Sequence, residues 1–458
     1  SYGHIYNILN DISPENFDLG KHRYLLIPFS IIFVSSIVYF LKSKRKLDNA
    51  TKITNVMSIT IMLIISMTVV TNVLDGNFYG SQTLGYEEEM LGLGSSQEFN
   101  LNDLFQDSSS QYVTDAQNMP RGNNLPDIYY IIMDEYGSNQ SLKEFFDYDN
   151  SDFVNYLKQR GFFVNEKSFA NYPRTIQSVS SSLNMEYLDK ITEQVGVNSK
   201  SYHLLNEHLS DNKVMSNMKS RDYIIVNMGS FWGPNMGFAE VDVNLCEFKQ
   251  INSNSLMNEL LLSSMLGYIQ ERFTEQGRRD GILCTFDELY TINEKIPKQK
   301  FVFGHIMLPH SPFIFGPNGE NVIPDHREIS GLQSWENPQG YVNQLIYATN
   351  EITVVIKNIV KNDPNAIIIV QGDTGTLTGT EISKKTMKEI YQAHSILYAV
   401  RIPDVNNFEN AIPVNTYRII FNNYFDMNYE YLEQRVYVPN GDNTWKDITK
   451  TISEYKFG

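Results

Sequence analysis

Two carboxylates and three imidazoles stand where apolar runs of this chain end or begin. Asp134 closes IYYIIM, His305 and His310 flank Pro309 in HIMLPHSPF, Asp373 follows IIIVQG, and His394 precedes SILYAV. Taken singly, each has a plain reading as a capping or solvated polar residue. His305, inside an apolar run, also reads as a satisfied core histidine, and His310, between two prolines, as an ordinary loop residue. Taken together they are harder to set aside. Two acids closing very apolar runs, with two histidines five positions apart, would face one crevice and form a ligand site there.

That convergence depends on the elements carrying these residues. PDIYYIIMDEYG, DYIIVNMG, KFVFGHIML, AIIIVQGD and SILYAVRIP each repeat an apolar run followed by a polar turn, and FVNYLKQRGFFV gives a helix and then a short strand. Between them, LMNELLLSSMLGYIQERF and YVNQLIYATNEITVVIKNIV have helical length and pattern. Alternation of this kind predicts an α/β fold, a mostly parallel sheet with helices on both faces. In such sheets ligands sit beyond the carboxyl ends of the strands, where the acids and histidines fall.

Five segments, in order from Pro126 to Phe425, carry a resemblance: PDIYYIIMDEYG, FANYPRTIQSVSSSLNMEYL, FGHIMLPHSPFIF, IIIVQGDTG and PVNTYRIIFNNYF. They are similar to the alkaline phosphatase and sulfatase superfamily, in its membrane-anchored branch with lipoteichoic acid synthases and phosphoethanolamine transferases. The sulfatase-like proteins of bacterial surface-polysaccharide clusters look nearest. The resemblance implies a divalent cation held by carboxylates and a hydroxyl nucleophile attacking phosphorus or sulfur. Carried over by motif, Asp134 and Asp373 become metal ligands, and Thr175 both nucleophile and ligand. His310 becomes a catalytic, substrate-contacting residue, His305 its helper in binding substrate, and His394 a looser substrate contact. Without the resemblance, Thr175 reads as a helix cap.

The pattern departs at one position. Where the family reads Asp-His-Gly, this chain has Asp373, Thr374 and Gly375, so the metal-binding imidazole is replaced by a neutral hydroxyl. The ligands left by the resemblance, Asp134, Thr175 and Asp373, are all oxygen donors. Such a set suits manganese, magnesium or calcium over zinc. Glu135 is a candidate substitute, but strand alternation would turn it to the opposite face. Two functions follow as expectations. One is a metal-dependent phospho- or sulfo-transferase or hydrolase acting on surface glycans or lipid-linked precursors. The other is an inactive relative with a binding or assembly role in surface-polysaccharide biogenesis.

The rest of the chain supplies a setting. Tyr24–Leu41 and Val56–Leu74 are free of charge and of spanning length, so they read as a transmembrane hairpin. Lys42, Lys44, Arg45, Lys46 and Lys52 place their connector in the cytoplasm and the remainder outside it. The expected layout is a membrane region over 1–76, a polar linker over 77–124, a sulfatase-like extracytoplasmic domain over 125–430 and its extension over 431–458. The chain opens on Ser1, which suggests a fragment with earlier spans lost. Its partners would be the bilayer and a lipid-linked or surface glycan; the oligomeric state stays open. Lys and Arg number 37 against 53 Asp and Glu, a net charge of −16, which argues against nucleic acid. Cys246 and Cys284 fit either one disulfide or two buried thiols. GDTGTLTGT shares letters with aspartic proteases, but DTG occurs once; it also lacks the Lys of the P-type ATPase loop.

Overall fold

The computed structural model describes residues 125–189, 191, 203–229, 238–246, 267–324, 336–376, 385–440 and 444–456, with six helical positions between Pro28 and Val38. The expected spans at 24–41 and 56–74 and the linker at 77–124 otherwise lie outside the described residues. Among the described residues no helix is long and apolar enough to cross a membrane. The chain divides into two compact units, Ser1–Thr83 with Gln250–Gly277, and Leu84–Lys249 with Arg278–Gly458. In the first, Ile31, Ile32, Val34 and Val38 are exposed on helix.

The second unit is built on strand β1 (Ile128–Met133), six consecutive β-branched, aromatic or long apolar residues, all buried. A strand without a polar face has to be covered on both sides. Tyr129, Ile131 and Met133 pack into one core with α1 (Asn139–Phe146), α2 (Ser151–Gln159), α6 (Gly267–Lys295) and α7 (Pro338–Asn362). Ile128, Tyr130 and Ile132 pack into a second core, with α3 (Thr175–Asn184), α4 (His203–Ser210), α5 (Lys213–Lys219) and α9 (Thr416–Tyr424). The period-two alternation of side chains along the strand produces the two layers.

The sheet has seven strands in the order β2-β7-β6-β1-β5-β3-β4, adding β2 (Phe163–Val164), β3 (Ile224–Met228), β4 (Val243–Leu245), β5 (Lys300–Ile306), β6 (Ile367–Gly372) and β7 (Tyr398–Arg401). The five strands from β6 to β4 are parallel, and β7 runs antiparallel to both β6 and β2. The expected mostly parallel sheet with helices on both faces is therefore present, with one strand reversed. A separate hairpin, β8 (Tyr437–Asn440) and β9 (Thr444–Asp447), packs with α8 (Met387–His394) and α10 (Thr449–Ser453) in a third, smaller core. The hairpin meets the segment leading to α3, where the Tyr437 amide donates to the Asn171 carbonyl at 2.9 Å. Cys246, just after β4, is disulfide-bonded to Cys284 on α6.

Candidate metal centre

The register of the three central strands assembles the site. Ile132 of β1 is level with His305 on one side and Gln371 on the other. The ladder runs on past β1, since the Asp134 amide donates to the Ile306 carbonyl at 3.0 Å. Asp134 and Asp373 each lie two residues beyond a level position, and alternation turns both toward the face covered by α3. His305 reaches the same point from β5: its Nε2 lies 3.5 Å from Asp134 Oδ2. Ligand atoms of Asp134, His305 and Asp373 all fall within 4.8 Å of one another, and all three residues are buried.

Thr175 is brought to this group. It is the first residue of α3, is 7% exposed, and its side chain acts on the Asp373 carboxyl, working against the rise in that group's pKa. It is not the cap: Arg174 occupies the N-cap position, with no side-chain capping bond. The amide end of α3 is thus turned toward the acids without a capping oxygen of its own.

Glu135 belongs to the site as well, against the alternation argument. The strand has ended at Met133, and Glu135 sits in the left-handed region at φ 57°, so the strand period no longer governs it. Two bonds hold this unfavourable backbone: its amide donates to Asp373 Oδ1 at 3.0 Å, and its carbonyl accepts from the Tyr341 hydroxyl at 2.8 Å. Its carboxylate lies 3.8 Å from Nε2 of His310, which keeps 23% of its side chain exposed. His310 also faces the Ser311 carbonyl through Nδ1.

A buried glutamine holds the His310 loop. Gln344 on α7 accepts from the amides of Ile314 at 2.9 Å and Phe315 at 3.2 Å, and donates to the carbonyls of His310 at 2.7 Å and Pro309 at 3.3 Å. Tyr341 and Gln344, one helical turn apart, therefore fix the loops carrying Glu135 and His310. Neither residue was singled out in the sequence; the signal was a glutamine on the apolar stripe of YVNQLIYATNEITVVIKNIV.

His394 is placed elsewhere. It ends α8 instead of opening a strand, it is fully buried, and its ring faces the Ile390 carbonyl through Nδ1 at 2.9 Å and the Tyr437 carbonyl through Nε2 at 3.0 Å. Both nitrogens face backbone carbonyls, one able to donate in the neutral ring, so the ring braces α8 against β8 and is not among the side chains that converge on Asp134. Burial holds its pKa below the ordinary histidine value.

Electrostatics divide the acids. Burial works against charge on Asp134, but His310 and His305 outweigh it and hold this carboxyl below the usual carboxylate range. Burial and then the Asp134 charge push Asp373 well above that range. Burial also works against charge on His310, yet Glu135, Asp134 and Asp373 overcome it and raise its pKa to about 9. Three oxygens remain buried without a hydrogen-bond partner: Asp134 Oδ1, Asp373 Oδ2 and Thr374 Oγ1. Orphaned carboxylate oxygens of this kind cost free energy unless something positive meets them. The donor set therefore fits a divalent cation.

The glycines of QGDTG have a steric reason. A Cβ on Gly372 would meet the Tyr136 carbonyl, and one on Gly375 the Gln392 carbonyl, both far inside contact distance. Gly375 donates to the Ala393 carbonyl at 2.8 Å, so the loop that presents Asp373 is pressed against the end of α8.

No family model matches this chain, and no curated protein does. Solved structures similar to it include the C-terminal periplasmic domain of EcEptC from Escherichia coli, at 14% identity over 73% of this chain and 95% of that one, with a TM-score of 0.46. The phosphonate monoester hydrolase of Agrobacterium radiobacter matches at 9% identity over 68% and 80%, with a TM-score of 0.41. The integral membrane lipooligosaccharide phosphoethanolamine transferase A (EptA) of Neisseria meningitidis matches at 12% identity over 90% and 73%, with a TM-score of 0.38. These proteins are of the alkaline phosphatase and sulfatase superfamily, the group that the chain's motifs resemble. With these scores below 0.5, no activity passes from them to this chain.

Proposed function

We propose that the chain is a membrane-anchored, divalent-metal-dependent phospho- or sulfo-transferase or hydrolase, acting outside the cytoplasm on surface glycans or lipid-linked precursors. One observation carries the reading: ligand atoms of Asp134, His305 and Asp373 converge within 4.8 Å of one another in a buried site, with Thr175 acting on Asp373 from the start of α3. When bound there, a divalent cation would lower the hydroxyl's pKa and neutralise charge on the transferring group. Asp373 orients the hydroxyl, and the amides opening α3 offer donors to anionic oxygens. His310, whose pKa in the metal-free protein is raised to about 9 chiefly by Glu135, offers a hydrogen-bond donor at Nε2 from the more open side of the site. Burial of the acids keeps bulk water from screening these charges. The two charge-free segments near the start support the membrane anchor.

Thr374, at the position where the resembling family has an imidazole, favours a second reading, a relative that kept the fold to bind and lost the chemistry. Turnover separates the two. Purified protein with Mn²⁺ or Zn²⁺ is offered p-nitrophenyl phosphate, p-nitrophenyl sulfate and lipid phosphodiesters, with Thr175→Ala as control. The enzyme reading expects turnover or a covalent adduct mapped to Thr175 by mass spectrometry, both lost in the variant. Metal binding without either, across all donors, leaves the binding reading.

A further inference from the structure

We infer that His305, delivered by β5, supplies the nitrogen ligand this chain lacks after Asp373, making the centre a mixed nitrogen–oxygen site for a zinc-class ion. The inference rests on the metal reading above and revises the expectation of an all-oxygen set.

The geometry argues for it in three steps. His305 lies on the face of β5 that Phe301 and Phe303 share with α3, level with Ile132, and is fully buried. From there its Nε2 stands 3.5 Å from Asp134 Oδ2. Two donors held at ~2.1 Å from one ion in tetrahedral arrangement are themselves about 3.4 Å apart, so this pair already has the spacing of ligands sharing a metal. Asp373 completes the group, with its ligand oxygen within 4.8 Å of the other two donors.

The second step is substitution by position. Thr374, whose hydroxyl is buried and without a partner, stands at the motif position where the resembling family has an imidazole. A nitrogen entering from the opposite side of β1 restores the ligand count without restoring the sequence motif. β6 and β5 flank β1 on its two sides, so a ligand lost from the loop after one can be returned by the other.

The third step is chemical. One imidazole among carboxylates moves preference from the hard ions, which take oxygen alone, toward zinc and its transition-metal neighbours.

The test reads metal, not turnover. Protein stripped with chelator is titrated with Zn²⁺ by calorimetry, with Co²⁺ by visible absorption, and with Mg²⁺. The original chain should bind Zn²⁺ and Co²⁺ in preference to Mg²⁺. His305→Gln should weaken Zn²⁺ by more than the ~10–100-fold that loss of an outer-shell partner costs, and the double variant His305→Gln/Thr374→His should recover most of it. Because His305 is buried and its replacement may not fold, X-ray absorption on the zinc-loaded original chain and on His310→Gln reads the imidazole directly. An imidazole shell in both is expected. If Zn²⁺ binds with no imidazole shell, or His305→Gln folds and binds it unchanged while Asp373→Asn does not, the inference falls and the metal reading stands. If the original chain binds no divalent ion, both fall.

Discussion

Glu135 governs the charge of His310, the more exposed member of the cluster. Its carboxylate is the largest influence raising a pKa that burial alone would lower. Removing that negative charge as Glu135→Gln should bring His310 down from about 9 toward its ordinary value. Titration of the His310 ring protons by NMR in the metal-free protein checks this, and an unchanged midpoint would mean that Glu135 does not act on the ring. Glu135 was named as a candidate in the sequence and set aside because strand alternation was carried two residues too far, past a turn whose left-handed backbone cannot be read from DEYG. Asp134 and Asp373 were legible because an acid closing a strongly apolar run is conspicuous. Thr175 was legible only by resemblance, since a threonine opening a helix looks like a cap. His394 misled for a related reason: a residue written next to an apolar run can belong to the helix before it, and sequence does not say which way its ring turns.

Helix α7 works as a clamp, because Tyr341 and Gln344 on one side of it hold the two loops that face each other across the site. Replacing Gln344 with leucine keeps the volume but leaves two amides and two carbonyls without their partner. At ~1–3 kcal/mol for an unsatisfied buried group, and with some relaxation, Gln344→Leu should cost about 2–4 kcal/mol. Urea denaturation measures this, and a loss below about 1 kcal/mol would mean the loop holds itself. The long elements were readable from the chain, as runs of six or seven apolar residues and a helix with an unbroken stripe. Apart from β2, expected at the end of FVNYLKQRGFFV, the short ones were not. β4 spans three residues, β8 and β9 four each with a proline inside β8, and none buries enough to leave a pattern. The reversal of β7 was hidden as well, since an apolar run carries no direction.

Across the whole molecule, the disulfide settles a pairing that sequence left open and bears on where the chain resides. Bonds of this kind persist in oxidising compartments, in keeping with the proposed extracytoplasmic body. Closing a separation of 38 residues stabilises by about 3–4 kcal/mol in the chain-entropy account. The paired Cys246→Ser/Cys284→Ser variant should therefore unfold at lower denaturant, and thiol labelling of the protein as taken from its source cells should find both sulfurs blocked. Free thiols there would count against placement outside the cytoplasm. The acidic surplus fits the same setting, because it keeps polyanions away from a surface that would work among lipids and sugars.

Helix α3 has a consequence of its own. All ten of its residues are buried, serines and glutamine included, so it offers no wet side on which to slide or swing. The wall that carries Thr175 is in effect masonry. Among the described residues, Arg174 next to Thr175 and His310 across from it keep partial exposure, so a large reactant of the kind proposed would enter there, reactive end first, with its remainder outside. Such a one-sided doorway selects for chain ends and protruding head groups over the middles of polymers.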